Sequence, residues 1–189
     1  MIECRDISFS YPDGNLALDR VSARFTSGER VALVGQNGAG KSTLSKLLNG
    51  LITPSSGEVF LDETSLTRMR SDQIAQRIGY VFQNPNDQIF CTSVRHECAY
   101  ALERRKTLTT EEIDQRVSDA LEVCALTGEA ETNPLDLPLA QRKFVTCAAA
   151  LALRPDYLII DEPTAGLDDI GRETLSGICL LYTSPSPRD

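Results

Sequence analysis

The sequence predicts an α/β fold, and three observations support this. A glycine-rich loop at residues 35–43 stands between an apolar run and a segment with helical spacing. A second apolar run, at residues 157–160, ends in two adjacent carboxylates. The residues between positions 83 and 136 have a helical pattern instead. Apolar strands that end at polar functional residues are typical of α/β proteins with a parallel sheet.

Turn signals and apolar spacing predict each element along the chain. In order, the early elements are two strands within residues 1–25 around a turn at 12–15, a buried strand at 30–34, a helix at 43–48 and a strand at 58–62. Residues 109–112 have the form of a capping box, so a helix is expected to begin there. That helix is amphipathic and ends before Gly128, with apolar residues at Ile113, Val117, Ala120, Leu121 and Cys124.

The glycine-rich loop fits the phosphate-binding pattern G-x-x-x-x-G-K-[ST] at every fixed position. Glycines let the backbone curl so that successive N–H groups face phosphate oxygens. We expect Lys41 to place its charge on the β and γ phosphates of a nucleotide, and Ser42 to offer its hydroxyl to Mg²⁺. A chance match in an ordinary loop is the alternative. The predicted nucleotide-binding residues of the loop are Gly35, Gln36, Asn37, Gly38, Ala39, Gly40, Lys41, Ser42 and Thr43.

The two carboxylates after the second apolar run are Asp161 and Glu162. The run is predicted to be a central parallel strand that delivers them to the carboxyl edge of the sheet, where ligands bind in open α/β folds. We expect Asp161 to hold Mg²⁺, directly or through water, and Glu162 to polarise the water that attacks the γ phosphate. The alternative is an exposed acidic turn that follows a core strand.

With these motifs in place, the chain resembles the ATP-binding cassette (ABC) ATPases over residues 1–178. Tyr11 matches the family's aromatic residue that stacks on adenine. Gln83 matches the Q-loop glutamine, which reaches Mg²⁺ and the attacking water. Residues 165–168 match the D-loop, which crosses to the partner domain. Within the family, the segments around Gln83 and the D-loop are most similar to the energy-coupling factor (ECF) importers and the cobalt-type ATPases.

The resemblance implies the fold, the cofactors and the partners. The expected fold is a P-loop NTPase core of the ABC type, with an antiparallel β subdomain and a helical subdomain at about residues 84–140, incomplete at the C-terminus. The expected function is hydrolysis of ATP with Mg²⁺ by a dimer, which powers uptake of a solute (a vitamin or a metal ion). The expected partners are a second ABC ATPase subunit and an integral membrane transporter subunit. The expected location is cytoplasmic, on the inner face of the cell membrane.

The chain departs from the family at its signature, Leu-Ser-Gly-Gly-Gln, which reads Leu137-Pro138-Leu139-Ala140-Gln141 here. Pro138 removes the serine hydroxyl and one N–H, while Leu139 and Ala140 replace glycines whose backbones approach the γ phosphate. In this family each signature completes the site of the opposite subunit, so a heterodimer is favoured over a homodimer. A regulatory subunit that does not hydrolyse ATP is one alternative, and a soluble ABC ATPase without a transport role is another.

A second departure concerns the last residues. The switch histidine, which in the family follows a later strand, has no counterpart in this chain. Residues 179–189 resemble the translated read-through of a sequencing adapter, so we expect a non-native tail there in place of a continued helix. A natural disordered tail rich in serine and proline is the alternative.

Composition favours a cytosolic subunit. The formal net charge of −8 disfavours a nucleic acid partner. No apolar run approaches the roughly 20 residues that cross a bilayer. The six cysteines lack C-x-x-C spacing, which predicts reduced thiols over a disulfide framework or a zinc site. The single histidine, His96, is expected on a solvated helix face.

Overall fold

The computed structural model of the chain describes residues 1–105 and 107–183. They divide into an N-terminal unit, Met1–Ile78, and a C-terminal unit that starts at Gly79. The strands are β1 Ile2–Ser10, β2 Leu16–Phe25, β3 Ser56–Leu61, β4 Thr64–Ser65, β5 Ile78–Val81 and β6 Tyr157–Ile160. The helices are α1 Lys41–Leu48, α2 Ser71–Arg77, α3 Val94–Glu103, α4 Thr110–Val123, α5 Leu139–Ala152 and α6 Asp169–Thr183. Short 3₁₀ helices lie at Leu66–Arg68, Pro85–Asp87, Thr127–Glu129 and Pro134–Asp136.

The N-terminal unit is built on a four-stranded antiparallel sheet in the order β2-β1-β3-β4. The turn between β1 and β2 is closed by hydrogen bonds from Tyr11 N to Asn15 O, at 3.0 Å, and from Gly14 N to Tyr11 O, at 2.9 Å. The predicted strand pair and its turn are therefore confirmed. The predicted strand at residues 58–62 is confirmed as β3, which begins two residues earlier.

Helix α1 packs against β1 and β2 through one apolar face. Leu44, Leu47 and Leu48 are buried there, because spacings of three and four residues bring side chains to one side of a helix. The predicted helix is confirmed, although it begins at Lys41 instead of Thr43. This packing holds the start of α1, and the loop before it, against the sheet.

The predicted buried strand at residues 30–34 is wrong. The segment forms no strand, and Val31, Leu33 and Val34 are exposed, Val34 to 91%. An apolar run becomes a strand only where a neighbouring strand pairs with its backbone N–H and C=O groups. The sheet of the N-terminal unit consists of β1 to β4, so within that unit the segment has no such neighbour.

The C-terminal unit packs α3, α4 and α5 around one apolar core. Val94, Leu102, Val117, Val145 and Ala148 are completely buried in it. Strands β5 and β6 form a two-stranded sheet. The prediction that β6 is a central strand is not met in the part of this unit that the structure describes, where β5 is its one strand neighbour. The side chains of β6 are accordingly half-buried.

Helix α4 begins at the predicted capping box. Thr109 Oγ1 accepts a hydrogen bond from Glu112 N at 3.2 Å, and Glu112 Oε2 accepts one from Thr109 N at 2.8 Å. The predicted apolar face is confirmed, since Val117, Ala120 and Leu121 are buried. Both N–H groups would otherwise lack a partner at the helix start.

Helix α6 extends into the segment that the sequence predicts to be a non-helical tail. It buries Leu175 and Ile178 and continues to Thr183. The expectation that the helix does not continue is therefore wrong for residues 179–183, because the leucines after Cys179 have a high helix propensity, while the non-native origin of the tail stays a prediction. Residues 184–189 of the predicted tail lie outside the described residues.

The cysteines Cys4, Cys91, Cys98, Cys124 and Cys147 are free and buried. Burial raises the pKa of the Cys91 thiol to about 11, and the pKa of the Cys98 and Cys147 thiols to about 12. These thiols are therefore protonated near neutral pH and pack as small apolar side chains.

His96 is exposed on α3, as predicted. Among the described residues, no group of three or more His, Cys, Asp or Glu side chains is placed to hold a metal ion. No described helix has both the length and the hydrophobicity that crossing a bilayer requires.

Replacing Thr109 by alanine should destabilise the chain by about 1 kcal/mol, because the capping hydrogen bond to the first turn of α4 is lost. Urea unfolding followed by circular dichroism measures the change. Thr109→Ser keeps the accepting oxygen and should lose less than about 0.5 kcal/mol. Equal losses in the two variants would contradict the capping role.

Candidate functional site

The loop at residues 35–43 passes twice through the left-handed region of backbone conformation. Gly38 and Gly40 both have a φ of 83°. A Cβ atom on Gly40 would lie 2.6 Å from the carbonyl oxygen of Ala17 and 2.8 Å from Leu18 Cδ2, so a side chain does not fit there. A Cβ atom on Gly38 would meet no atom within 4 Å, so glycine is favoured there by backbone conformation alone.

Lys41 belongs to this loop and is the first residue of α1, directly after Gly40. Its Nζ donates to the carbonyl oxygens of Gly35 and Gln36, at 2.9 Å each. No side chain caps the first turn of α1, and the helix dipole places partial positive charge at that end. An ammonium group and a helix N-terminus beside an exposed glycine-rich loop fit an anionic phosphate group.

Tyr11 lies next to α1 in the N-terminal unit. Its hydroxyl and Thr43 Oγ1 share a hydrogen bond at 2.9 Å. Phe9 contacts the ring edge-on, with 5.0 Å between the ring centroids. Tyr11 keeps 38% of its surface exposed, so part of its ring is accessible to a ligand. Ser42, the predicted Mg²⁺ ligand of this unit, is half-buried in the first turn of α1.

Asp161 follows β6 in the C-terminal unit and is buried. Its backbone N–H donates to Val81 O at 3.0 Å, which fixes the end of β6 beside β5. Tyr80, which is not among the predicted site residues, donates its hydroxyl to Asp161 Oδ2 at 3.4 Å. Burial, together with the negative charge of Asp161, raises the pKa of Tyr80, so the hydroxyl stays protonated and continues to donate.

Glu162 has a φ of 47°, in the left-handed region that costs a residue with a side chain about 1–2 kcal/mol. Its exposed carboxylate accepts a hydrogen bond from Gln83 Nε2 at 2.8 Å. The structure therefore brings the two predicted catalytic residues into contact, although 79 positions separate them. Strained backbone of this kind is concentrated at functional sites.

Lys143 holds the chain after Glu162, and the sequence does not single it out. It lies near the start of α5 and only 3% of its surface is exposed. Its Nζ donates to the carbonyl oxygens of Glu162 at 2.7 Å, Ala165 at 3.2 Å and Pro163 at 3.4 Å. The signal that could have revealed it is a lysine on the buried face of a mostly apolar helix.

Arg142 holds the segment that departs from the family signature. Its Nε donates to Leu137 O at 2.9 Å, and its terminal nitrogens donate to Leu135 O at 2.6 Å and Asn86 Oδ1 at 2.9 Å. Pro138 occupies the N-cap position of α5, which has no side-chain cap. The proline therefore does not prevent the helix from forming.

The predicted D-loop, residues 165–168, forms the turn between β6 and α6. Gly166 has a φ of 75°. Asp168 Oδ1 accepts a hydrogen bond from Gly171 N at 2.8 Å and so caps the first turn of α6.

Residues 18–165 match the protein family described as ABC transporter. The energy-coupling factor transporter ATP-binding protein EcfA of Methanothermobacter thermautotrophicus is 42% identical over 180 residues. That similarity covers 94% of this chain and 57% of the relative, so the chain spans little more than half of the relative's length.

Two solved structures share the fold over nearly the whole chain. One is cbiO1 from Clostridium perfringens, described as part of the ABC transporter complex cbiONQ, with a TM-score of 0.83 and 33% identity over 96% of this chain and 73% of that one. The other is an ATP-binding cassette in a post-hydrolysis state bound to ADP and Pi, with a TM-score of 0.87 and 27% identity over 97% and 83% of the two chains. These similarities confirm the predicted fold class.

Gly40→Ala should destabilise the chain more than Gly38→Ala. Both variants place a side chain in the left-handed region at a cost of about 1–2 kcal/mol, but only Gly40→Ala also forces a Cβ atom against the carbonyl of Ala17. We expect an additional loss of about 1–3 kcal/mol, measured by urea unfolding. Gly14→Ala, with a φ of 85° and no atom near the new Cβ, is the control and should match Gly38→Ala. Equal losses at Gly38 and Gly40 would contradict the close approach to β2.

Proposed function

This chain belongs to the ABC transporter family, and from that premise we propose that it is the ATP-hydrolysing subunit of an energy-coupling factor type importer. The observation that carries the proposal is the complete phosphate-binding loop with the Lys41 ammonium against its carbonyl groups. The contact between Gln83 and Glu162 supports hydrolysis in addition to binding.

ATP binds with its phosphates over the loop at residues 35–43. Lys41 neutralises the β and γ phosphates, and the loop N–H groups donate to their oxygens. Tyr11, with its ring partly exposed and its hydroxyl held by Thr43, stacks on the adenine. The two left-handed glycines favour this cradle because their backbones can approach the phosphates closely.

Mg²⁺ fits the oxygen donors that this chain offers. The Asp161 carboxylate, the Ser42 hydroxyl and the side-chain oxygen of Gln83 are hard oxygen ligands of the kind that Mg²⁺ takes, so these residues would hold the ion. When bound, the ion neutralises charge on the β and γ phosphate oxygens. Because Gln83 donates its Nε2 to Glu162, its Oε1 would be the oxygen left to hold the ion.

Glu162 acts on the water that attacks the γ phosphate. The hydrogen bond from Gln83 fixes one carboxylate oxygen, and the carboxylate orients the water and accepts its proton. Phosphoryl transfer requires little covalent help from a protein, so most of the catalysis comes from positioning and charge neutralisation. Lys41 supplies the charge, while Gln83 and Glu162 supply the position.

The chain acts as one of two ATPase subunits on the inner face of the cell membrane, where an integral membrane subunit moves a solute, either a vitamin or a metal ion. The segment at residues 137–141 offers no glycine backbone to the partner's nucleotide. A partner with a Ser-Gly-Gly signature completes the site of this chain, so the heterodimer is the active form. No nucleic acid partner is proposed.

A regulatory subunit is the second candidate function, because Pro138 and the 58% exposed Leu139 occupy the signature positions. A regulatory role predicts that the chain binds ATP without hydrolysing it, even when the partner subunit has a Ser-Gly-Gly signature. A soluble ABC ATPase without a transport role is distinguished by purification, since it would not co-purify with a membrane protein.

Glu162→Gln should lower ATP hydrolysis by the heterodimer by on the order of 10² while leaving ATP binding intact, because the variant loses only the group that accepts the proton. Lys41→Ala should instead weaken ATP binding strongly, because the phosphates lose their counter-charge. Titration with a fluorescent ATP analogue measures binding to the chain, and phosphate release measures turnover.

The two variants serve as controls for each other, since they separate binding from turnover. Parent-level affinity in Lys41→Ala would remove the phosphate role of Lys41. Parent-level turnover in Glu162→Gln would remove the proposed role of Glu162.

Replacing Pro138, Leu139 and Ala140 by Ser, Gly and Gly should raise ATP hydrolysis by the homodimer, because each altered segment weakens the site of the opposite subunit. The heterodimer with a Ser-Gly-Gly partner serves as the reference for a completed site. Phosphate release at saturating ATP measures both dimers. An unchanged homodimer rate would show that residues 137–141 do not limit turnover.

A further inference from the structure

Lys143 connects two segments that the proposed function uses separately. It lies two residues after Gln141, which ends the segment proposed to face the partner's nucleotide. Its Nζ donates to three carbonyl oxygens of the chain that follows Asp161. A single side chain therefore ties the first turns of α5 to the loop that carries Glu162.

The loop after β6 depends on this restraint. The carbonyl oxygen of Glu162 accepts a hydrogen bond from Ala165 N at 3.2 Å and the shortest of the Lys143 bonds, at 2.7 Å. Leu167 N donates to Thr164 O at 3.3 Å and completes the turn. A non-glycine residue in the left-handed region persists only where its surroundings hold it. At Glu162, the ammonium of Lys143 is part of those surroundings.

The choice of a cation here needs a reason beyond packing. Lysine is rarely buried, and burial lowers the pKa of Lys143 because the charged form is desolvated. A methionine would fill the same space without burying a charge. It would, however, remove the Lys143 donor from the carbonyl oxygens of Pro163 and Ala165, and it would leave the carbonyl oxygen of Glu162 with the Ala165 N–H alone. The buried ammonium group therefore serves to pair with the loop carbonyl oxygens, since packing in the apolar core would not require a charge.

We propose that Lys143 is a positioning residue for ATP hydrolysis, which holds the Glu162 carboxylate in place and links it to the first turns of α5. If the start of α5 moves when residues 137–141 meet the partner's nucleotide, Glu162 then moves with it. Hydrolysis at this chain's own site thereby responds to assembly at the opposite site. The inference rests on the proposed function, which gives Glu162 its role.

The test compares Lys143→Met and Lys143→Gln with Thr146→Val, in the full chain assembled with its partner subunit. Thr146 is a matched control because it is completely buried on the same helix, and its hydroxyl donates to Lys143 O, at 2.8 Å, instead of to a loop carbonyl. Its replacement removes a buried polar group one turn away and leaves the three loop contacts in place.

Lys143→Met should lower kcat for ATP at least tenfold while KM and ATP affinity stay within twofold, since the phosphate-binding loop is unchanged. Lys143→Gln keeps an N–H donor and should fall between Lys143→Met and the parent. Thr146→Val should keep kcat within twofold. A kcat at the parent level in Lys143→Met would overturn the proposal.

Hydrogen exchange separates positioning from activity. In Lys143→Met the amides of residues 164–168 should exchange at least tenfold faster, while those of α1 and α4 keep their rates. Equal acceleration throughout the C-terminal unit, matched by Thr146→Val, would show a general loss of stability and overturn the proposal. If the parent does not hydrolyse ATP, the proposed function fails, and the exchange rates still decide whether Lys143 holds the loop. Should Lys143→Met not fold, Lys143→Gln is judged by the same two measurements.

Discussion

The arrangement of the N-terminal unit depends on the close approach of Gly40 to strand β2. A Cβ atom at that position would lie 2.6 Å from the carbonyl oxygen of Ala17, so α1 begins where the sheet leaves room for backbone alone. The apolar face of α1 then packs on β1 and β2. Lys41 follows immediately and folds its ammonium back onto the loop. The position of the charge at the loop is thus a consequence of how the helix meets the sheet.

In the C-terminal unit the residue that we propose to act on water, Glu162, is held by hydrogen bonds from two side chains and one backbone N–H group. Glu162 is exposed and in the left-handed region, where its own conformational preference is unfavourable. Its position comes from three contacts: a hydrogen bond from Gln83 to its carboxylate, and hydrogen bonds from Ala165 N and Lys143 Nζ to its carbonyl oxygen. A residue held in this way can shift without rebuilding the core. That property suits the dependence on assembly that we propose for Glu162.

Sequence reasoning succeeds at the elements whose conformation is decided locally. The capping box of α4 and the turn between β1 and β2 need only neighbouring residues, and both are found where the sequence places them. It fails at residues 30–34, because apolar composition predicts burial while burial depends on a strand that must come from elsewhere in the fold. The contacts of Lys143 were missed for the same reason, since they join residues 19 to 22 positions apart on different elements. The pairing of Gln83 with Glu162 spans 79 positions. Gln83 was identified by family resemblance and Glu162 by its place after an apolar run, and neither signal predicts that the two side chains meet.

Arg142 holds the altered signature segment in a defined conformation, so the segment differs from a family signature in the donors that it offers. Arg142 donates to the carbonyl oxygens of Leu135 and Leu137 and to Asn86, so the segment keeps a defined path although it has lost its serine and glycines. The groups proposed to act on this chain's own nucleotide lie outside it, at the phosphate-binding loop and at Asp161 and Glu162. In the proposed dimer, the departures at residues 138–140 therefore remove donors that a family signature would offer to the opposite subunit, and leave the chain's own donors unchanged. A homodimer would lose these donors at both sites, whereas a heterodimer would lose them at one, which is the physical argument for pairing with a different subunit.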